Sequence, residues 1–369
     1  MFTAYKYSSK QQSFRLLFLL TLLCFLTVTL SPNLRAQENQ TQNTSDTSTT
    51  QSDVQTPIDS GEKAAFQFNA ADPLSWIERL ALQASSLNYE VSFVLSRPSS
   101  ETQPYLWRHA VLDDNNTVEQ LSLLNGPGFE HIRYNEVVSI FEPGFPPYSI
   151  PGLAIDGPIP SVLLTDPAKL REGYEFVLVG RSRVSGRAAQ QLRIVPRDKT
   201  RYGYHLWLDE DSGMLLKLNM YDLGGTLLEQ IQVTQLSVSD RVKEVFNSLQ
   251  LSSLPRVITM KNPPQRNHKW QVEFLPLGMQ RVKQDTHRLA ITGQVVEYSM
   301  LSDGLVDVSV YIQQASQAFA EGVEYKLETQ SVLSRTNGRV QVTVVGEIPL
   351  VTAARIAESI ALIETEVEN

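Results

Sequence analysis

The chain has 369 residues and a formal net charge of −8, and hydrophobic residues make up 42% of it. This composition is typical of a globular protein and excludes wholesale disorder, while the length predicts two folded domains. A lone cysteine, Cys24, excludes a disulfide scaffold and a thiolate metal cluster, and the five histidines are scattered. An acidic chain is a poor candidate for nucleic acid. We predict no metal, no cofactor and no nucleic-acid partner.

Residues 1–36 have the layout of a secretory signal peptide. Three basic residues precede an apolar run from Leu16 to Leu30, and Ser31-Pro32 ends that run. The run is shorter than the roughly 20 residues that a membrane span needs, so we predict cleavage after Ala36 rather than an uncleaved anchor. The mature chain is expected to be exported, soluble and free of cysteine.

Residues 37–65 are mostly Gln, Asn, Thr, Ser and Asp, a composition that predicts a disordered tether. The first domain is assigned to residues 66–250. Its first helix is predicted over Leu74–Ala84, because Asp72 and Pro73 suit the N-cap and first helical positions and apolar residues follow at helical spacing.

After this helix the apolar period changes from 3.6 to 2, as in the segment from Tyr89 to Leu95. Sequential strands at short spacing favour a strongly curved antiparallel sheet or an open barrel. A second helix, Asp240–Leu249, is predicted to close the domain. The candidate strands are 89–95, 105–112, 118–125, 131–135, 136–141, 176–181, 188–195, 205–208, 214–221 and 228–238.

A linker is predicted over residues 251–267, where Pro263-Pro264 extends the chain. The second domain, 268–365, begins with alternating apolar residues from Trp270 to Phe274. Two hairpins are predicted, 295–300 with 305–312 and 326–334 with 339–345, the second turning at Asn337-Gly338. Thr352 is expected to cap a closing helix with inward Ala353, Ile356, Ala357, Ile360 and Ile363.

Basic residues are concentrated between Arg181 and Arg201, where seven of them stand against a single acid, Asp198. An extended chain would place the alternate ones on one side. Two interpretations remain open: an edge strand protected against aggregation, or a docking strip for an acidic protein segment or lipid phosphates. The candidate anion- or partner-binding residues are Arg181, Arg183, Arg193, Arg197, Lys199 and Arg201.

The segment from Glu142 to Pro160 contains six prolines and three glycines, which predicts a loop without regular structure. Its apolar residues suit either an Ω-loop packed over the open edge of the barrel or a movable lid on an apolar cavity. The candidate cavity or lid residues are Trp107, Phe141, Phe145, Tyr148, Leu153 and Trp207.

Four common catalytic motifs are absent from the sequence: the serine-hydrolase GxSxG, the zinc-binding HExxH, the phosphate-binding P-loop and a dinucleotide-type glycine loop. Pairs of carboxylates such as Asp113-Asp114 stand in turn-like sequence, where solvated loop charge is the simpler explanation. The chain is therefore predicted not to be an enzyme.

Several segments spread over both predicted domains form a recognisable set and together resemble the RseB/MucB family. Two departures are a long tether and Glu119-Gln120, where the family pattern suggests Glu-Arg. The segments are Glu119–Gly126, Glu130–Arg133, Gly180–Arg187, Pro196–Asp209 and Ser212–Lys217 in the first domain, and Asp303–Tyr311 and Val342–Pro349, with Thr352-Ala353, in the second.

The resemblance implies a fold that is mainly β (α+β). The larger domain would be an unclosed antiparallel β-barrel with helices, similar to LolA and LolB, and a smaller antiparallel sheet with a helix would follow. It also implies a periplasmic negative regulator of the envelope-stress sigma factor, sigma-E or AlgU. Such a protein binds the periplasmic part of an anti-sigma factor of the RseA/MucA type and blocks its first cut by a DegS-type protease.

The implied ligands are lipopolysaccharide or lipoprotein acyl chains, sensed in the apolar cavity. The alternative is a lipid or lipoprotein carrier or chaperone of the LolA/LolB type, although a carrier needs only the barrel. The oligomeric state is left open, a homo-oligomer included.

Overall fold

The computed structural model describes residues 66–112, 115–249, 251–258, 268–288, 294–315 and 322–363. The predicted signal peptide, the whole of the predicted tether and residues 259–267 of the predicted linker lie outside them. Among the described helices, none is long and apolar enough to cross a membrane.

Helix α1 spans Pro73–Ser86 and confirms the first predicted helix. The side chain of Asp72 accepts a hydrogen bond from the Leu74 N–H at 3.0 Å, which satisfies one of the free donors at the helix start. Ile77 and Leu80 are fully buried in the main core.

An eleven-stranded antiparallel sheet forms the larger part of the molecule, in the order β6-β5-β4-β3-β2-β1-β11-β10-β9-β8-β7. Within the described residues the end strands β6 and β7 do not pair with each other, so the barrel is unclosed. Strand β6 pairs with β5 and makes one bridge from Ser149 to Val257, and β7 pairs with β8. The strands are β1 Asn88–Ser96, β2 Gln103–Val111, β3 Thr117–Leu123, β4 Phe129–Tyr134, β5 Val137–Phe141, β6 Tyr148–Pro151, β7 Tyr174–Val184, β8 Arg187–Pro196, β9 Gly203–Asp209, β10 Leu215–Tyr221 and β11 Leu227–Ser239.

Two predictions for this part of the chain are wrong. The segment Asp240–Leu249 is not an α-helix. Strand β11 continues to Ser239, and the only helical part of the segment is a 3₁₀ turn, Glu244–Ser248. Phe246 is nevertheless buried, against the outer face of the sheet beside Ala110. The proline-rich loop also contains strand β6. Pro151 is tolerated there because it is the last residue of an edge strand, where its missing N–H is not needed for a ladder hydrogen bond. A helical turn, α2 Ser161–Thr165, follows the loop, and a 3₁₀ turn, Pro167–Arg171, leads to β7.

A smaller antiparallel sheet has the order β13-β14-β15-β18-β17-β16, and a separate pair joins β12 to β19. Helix α3, Leu350–Glu358, packs on β17 and β18. The predicted fold class, mainly β with an unclosed antiparallel barrel and a smaller sheet with a helix, is confirmed. The strands are β12 Trp270–Val272, β13 Gln280–Arg288, β14 Val295–Ser302, β15 Asp307–Gln314, β16 Val323–Leu327, β17 Gln330–Thr336, β18 Val340–Gly346 and β19 Ile360–Leu362.

The hairpin at Asn337-Gly338 is confirmed, whereas the strand predicted over 326–334 is broken. Glu328 adopts a left-handed φ of 56°, which turns the chain back and makes two strands of one predicted strand. Thr352 does not cap α3, since the helix begins at Leu350 and the Thr352 hydroxyl donates to the Thr200 carbonyl at 2.7 Å. Ile360 and Ile363 lie beyond the end of the helix.

The two sheets contact each other through buried polar groups and through backbone. The Tyr202 hydroxyl donates to the Ile348 carbonyl at 3.1 Å. Gly173 and Gly278 meet so closely that a Cβ on Gly278 would lie 2.8 Å from the Gly173 nitrogen. Pro255 and Arg256 bind β6 by their carbonyls, so the predicted linker is packed where it begins. The domain boundaries themselves stay a prediction.

Candidate functional site

Five of the six predicted basic residues are exposed at one edge of the barrel. Arg181 and Arg183 lie on the edge strand β7, and Arg193 lies on the adjoining strand β8. Arg197 and Lys199 follow in the turn that leads to β9. Of these, Arg181 already has an acidic partner, since its Nε lies 3.0 Å from an oxygen of Glu210. Exposed guanidinium groups of this kind can bind carboxylates or phosphates in two-pronged geometry.

Arg201 does not belong to this exposed group, which corrects the sequence prediction. Its side chain is completely buried and forms an ion pair with Asp303 of the β14–β15 turn. Its Nη2 donates to the Leu277 carbonyl at 2.8 Å, and the Tyr174 hydroxyl donates to the same Asp303 oxygen at 2.7 Å. The alternation of an extended chain ends at the turn, where Lys199 has a left-handed φ of 56°, so Arg201 faces inward.

Trp107 lies on the inner face of the barrel, in the main core. Its indole Nε1 donates to Glu119 at 2.6 Å, and Arg133 holds the other oxygen of that carboxylate at 2.7 Å. A small cavity of about 20 Å³ beside it is lined by Phe93, Trp107, Glu119, Leu121, Ile155, Gly157, Pro158, Ile159 and Leu164. Such a volume holds little more than one water molecule.

The proline-rich loop packs inward through residues other than those predicted. Phe145 and Leu153 are 54% and 71% exposed, whereas Ile155 and Ile159 are each 6% exposed. Tyr148 is half-buried and packs against the main core. The two isoleucines nearest α2 line the small cavity at the barrel mouth, whereas Phe145 and Leu153 stay outside.

Two further cavity predictions are wrong because each residue lies on the outer face of its strand. Phe141 packs with Phe246 on the outer face of the barrel, while its neighbour Ile140 faces the core. Trp207 alternates with the buried Leu206 and Leu208 and so lies on the outer face, where the Lys217 ammonium is 5.0 Å from its ring centroid.

The C-terminal sheet covers the barrel mouth beside this loop, and the charged residues there were not identified from the sequence. Arg97 forms an ion pair with Glu229 at 2.6 Å, and the Arg97 Nε lies 3.7 Å from Glu328 of the other sheet. The cavity at this junction has a volume of about 30 Å³ and is lined by Leu95, Arg97, Tyr105, Gly157, Pro158, Pro160, Tyr204, Leu218, Met220, Glu229, Leu305 and Glu347.

One signal could have found Glu229. It shares strand parity with Ile231 and Val233, so a carboxylate stands in the apolar phase of β11. Burial, opposed by Arg97 and reinforced by Glu347, raises the pKa of Glu229 to about 7. Burial also raises the pKa of the neighbouring Tyr105 to about 12, so that hydroxyl stays neutral. No group of three metal-ligating side chains is present in the part of the chain that the structure describes.

Comparison with known proteins gives matches in both parts of the chain. The family model of the MucB/RseB N-terminal domain matches residues 72–258, and that of the MucB/RseB C-terminal domain matches residues 264–361.

Two curated relatives match most of the chain. The sigma-E factor regulatory protein RseB of Salmonella typhimurium is 33% identical over 300 residues, which cover 80% of this chain and 93% of the relative. The sigma factor AlgU regulatory protein MucB of Pseudomonas aeruginosa is 33% identical over 296 residues, covering 79% of this chain and 91% of the relative.

A solved structure of the Pseudomonas aeruginosa MucA/MucB complex is similar in fold, with a TM-score of 0.63. The matched chain is 31% identical in sequence, and the match covers 80% of this chain and all of that chain.

Proposed function

The chain belongs to the MucB/RseB family, as its sequence motifs indicate, and on that premise we propose that it is a negative regulator of an envelope-stress sigma factor. It acts in the periplasm, after removal of residues 1–36, by binding the periplasmic region of a membrane-bound anti-sigma factor of the RseA/MucA type. Bound there, it shields that region from regulated proteolysis and so keeps transcription from the stress regulon low.

The observation that carries this proposal is the extent of the match. The match to the MucA/MucB complex covers all of the matched chain, and the family match spans both sheets of the present structure. A carrier needs only the barrel, so the second matched domain favours a regulator over a lipid carrier of the LolA/LolB type. The family is one of regulatory binding proteins, which supports a role without catalysis.

The test is binding to the anti-sigma factor. The chain from residue 37 onward and the periplasmic region of the anti-sigma factor from the same bacterium are mixed, and affinity is measured by calorimetry. Binding with protection of the peptide from the site-one protease supports the proposal. Absence of binding, together with transfer of an acylated peptide between membranes, supports the carrier instead.

The exposed basic residues supply the chemistry for one part of that contact. An extended acidic segment laid along β8 would meet Arg193 and, in the turn beyond it, Arg197 and Lys199. Arg181 and Arg183 stand opposite Gln190 and Ala188, so they lie on the other face of the sheet from Arg193. The double change Arg193→Glu with Arg197→Glu should weaken binding and leave the melting temperature unchanged, because exposed charges add little stability. Added salt should weaken the unmodified complex in the same direction. Unchanged affinity would indicate instead that these residues protect the edge strand against aggregation.

Sensing of a lipid is a second part of the proposal. Pockets that hold drug-sized ligands have volumes of about 300–1,000 Å³, whereas the two cavities at the barrel mouth measure about 20 and 30 Å³. An acyl chain therefore has to displace the loop residues Ile155 and Ile159 before it can enter. A ligand that binds only this displaced form would release the anti-sigma factor by its differential affinity. A release titration with lipopolysaccharide or an acylated peptide tests this.

A further inference from the structure

The junction between the two sheets encloses a cluster of charged side chains that none of the binding roles above uses. Arg97 follows β1 and Glu229 lies on β11, both in the barrel, whereas Glu328 and Glu347 come from the C-terminal sheet. The side chains of Arg97, Glu229 and Glu328 are 16%, 8% and 7% exposed. Charges so deeply placed are not screened by solvent, so their mutual energies are large.

Hydrogen bonds hold each member of the cluster in place. Arg97 Nε donates to Glu229 at 2.7 Å, and the Ser99 hydroxyl donates to Glu328 at 3.2 Å. The Thr329 hydroxyl donates to Glu347 at 2.7 Å. Closure of the C-terminal sheet over the barrel therefore brings two further carboxylates toward the buried Glu229 carboxylate.

The groups that face Glu229 come from several elements. Arg97 favours its ionised form, and burial together with Glu347 and Glu328 favours its protonated form. The hydroxyl of Tyr105 also lies at this junction and stays neutral, because burial raises its pKa to about 12. The Tyr204 side chain, from β9, is fully buried, and burial raises its pKa well above the ordinary value. The balance of these groups raises the pKa of Glu229 above its ordinary value.

We propose that this cluster is a proton-linked latch, in which a proton taken up by the Glu229 carboxyl relieves its repulsion by Glu347 and Glu328 and holds the C-terminal sheet over the barrel mouth. Arg97 keeps Glu328 as a carboxylate partner when Glu229 is neutral. Loss of the proton restores the repulsion and loosens the sheet. The apolar lining at the junction, which includes Leu95, Leu218 and Met220, is then accessible.

The direction of the pH dependence follows from the two states. In the loosened state Glu229 is solvated and has its ordinary pKa near 4.5, whereas in the closed state its pKa is about 7. The closed state therefore binds the extra proton between these two values, and closure is favoured by acid and lost as the pH rises through 7. The closing equilibrium is expected to fall about tenfold from pH 6 to pH 8.

The latch concerns only the contact between the two sheets, so it stands or falls separately from the partner proposed above. Native-state amide exchange of the isolated chain, divided by the intrinsic exchange rate at each pH, reports the opening. Peptides covering residues 303–306 and 327–331 should exchange about tenfold faster at pH 8 than at pH 6. In Glu229→Gln, which keeps the shape of the side chain without its charge, this dependence should disappear.

Two more variants complete the test. Glu347→Gln removes one like charge, so its midpoint should move to lower pH, and it carries the test should Glu229→Gln fail to fold. Glu175→Gln removes an exposed carboxylate of β7 and should behave as the unmodified chain. Exchange at these peptides that does not change with pH, or that keeps its tenfold change in Glu229→Gln, would overturn the latch.

Discussion

Arg201 shows how a single residue can join the two parts of the molecule. From the sequence it appears as one member of a basic run, because the same residue type repeats at strand spacing up to the turn. Its partner Asp303 lies 102 residues away, and no local pattern could reveal that pairing. The sequence does reveal the exposed members of the run, since Arg193 alternates with the apolar Leu192 and Ile194.

We expect Arg201→Ala to be strongly destabilising, by about 3–5 kcal/mol in the free energy of unfolding, because it leaves Asp303 buried without its cation. Chemical denaturation followed by tryptophan fluorescence measures it. Arg197→Ala is the matched control, since this exposed side chain should change stability by no more than about 0.5 kcal/mol. Similar losses in both variants would mean that the ion pair adds nothing beyond surface charge.

Gly278 provides a second prediction about a single residue. It combines a left-handed φ of 78° with a backbone contact to Gly173. Gly278→Ala should therefore be destabilised twice, because alanine disfavours this φ and because its Cβ would push the two backbone segments apart. Gly338 has a similar φ of 84° but open space around it, which makes Gly338→Ala the control for conformation alone. The melting temperature of Gly278→Ala should therefore fall clearly further. Equal falls in melting temperature for the two variants would show that the backbone contact between Gly173 and Gly278 adds nothing to stability.

Among the elements, the strands of the barrel were predicted well and the loop between β5 and α2 poorly. Strands such as β1 bury alternate residues, and this alternation is visible in the sequence itself. The loop has no period, so the sequence shows that it is apolar without showing which residues reach the core. That choice depends on where α2 and the C-terminal sheet leave space. Alternation shows that β5 and β9 each have two faces, but it does not show which face is the inner one. The prediction therefore places Phe141 and Trp207 on the wrong face.

The buried loop residues lead to a prediction for the loop as a unit. Ile159→Ala should destabilise the closed mouth by about 2–5 kcal/mol, the usual cost of truncating a buried isoleucine, and should lower the lipid concentration that releases the anti-sigma factor. Leu153→Ala, in the same loop but largely exposed, should change neither. Release titrations of both variants measure the midpoints. A lower midpoint for Leu153→Ala alone would place the sensor on the outside of the loop.

For the whole molecule, the motifs indicate two sequence domains but not how firmly they dock. Residues that make this interface, such as Tyr174 and Thr200, look like ordinary members of their own strand or turn. Only the structure brings Tyr174 to Asp303 and Thr200 to Thr352.

This docking predicts the behaviour of a nicked chain. Brief proteolysis within residues 259–267 should give two fragments that remain associated, since the buried contacts between the sheets do not depend on the peptide bond that is cut. Size-exclusion chromatography without denaturant should show one peak at the retention volume of the uncut chain. Two separate peaks would show that the linker itself holds the sheets together.

The pairing of β12 with β19 brings the two ends of the C-terminal part of the molecule together. Trp270 stands opposite Leu362 in the separate β12–β19 pair, so the chain enters and leaves the C-terminal part of the molecule at neighbouring points. The two ends of this C-terminal part therefore lie side by side, the arrangement in which domain insertion or circular permutation is tolerated. Tension applied at residue 363 would act first on this three-residue ladder, before it reached the six strands of the main C-terminal sheet.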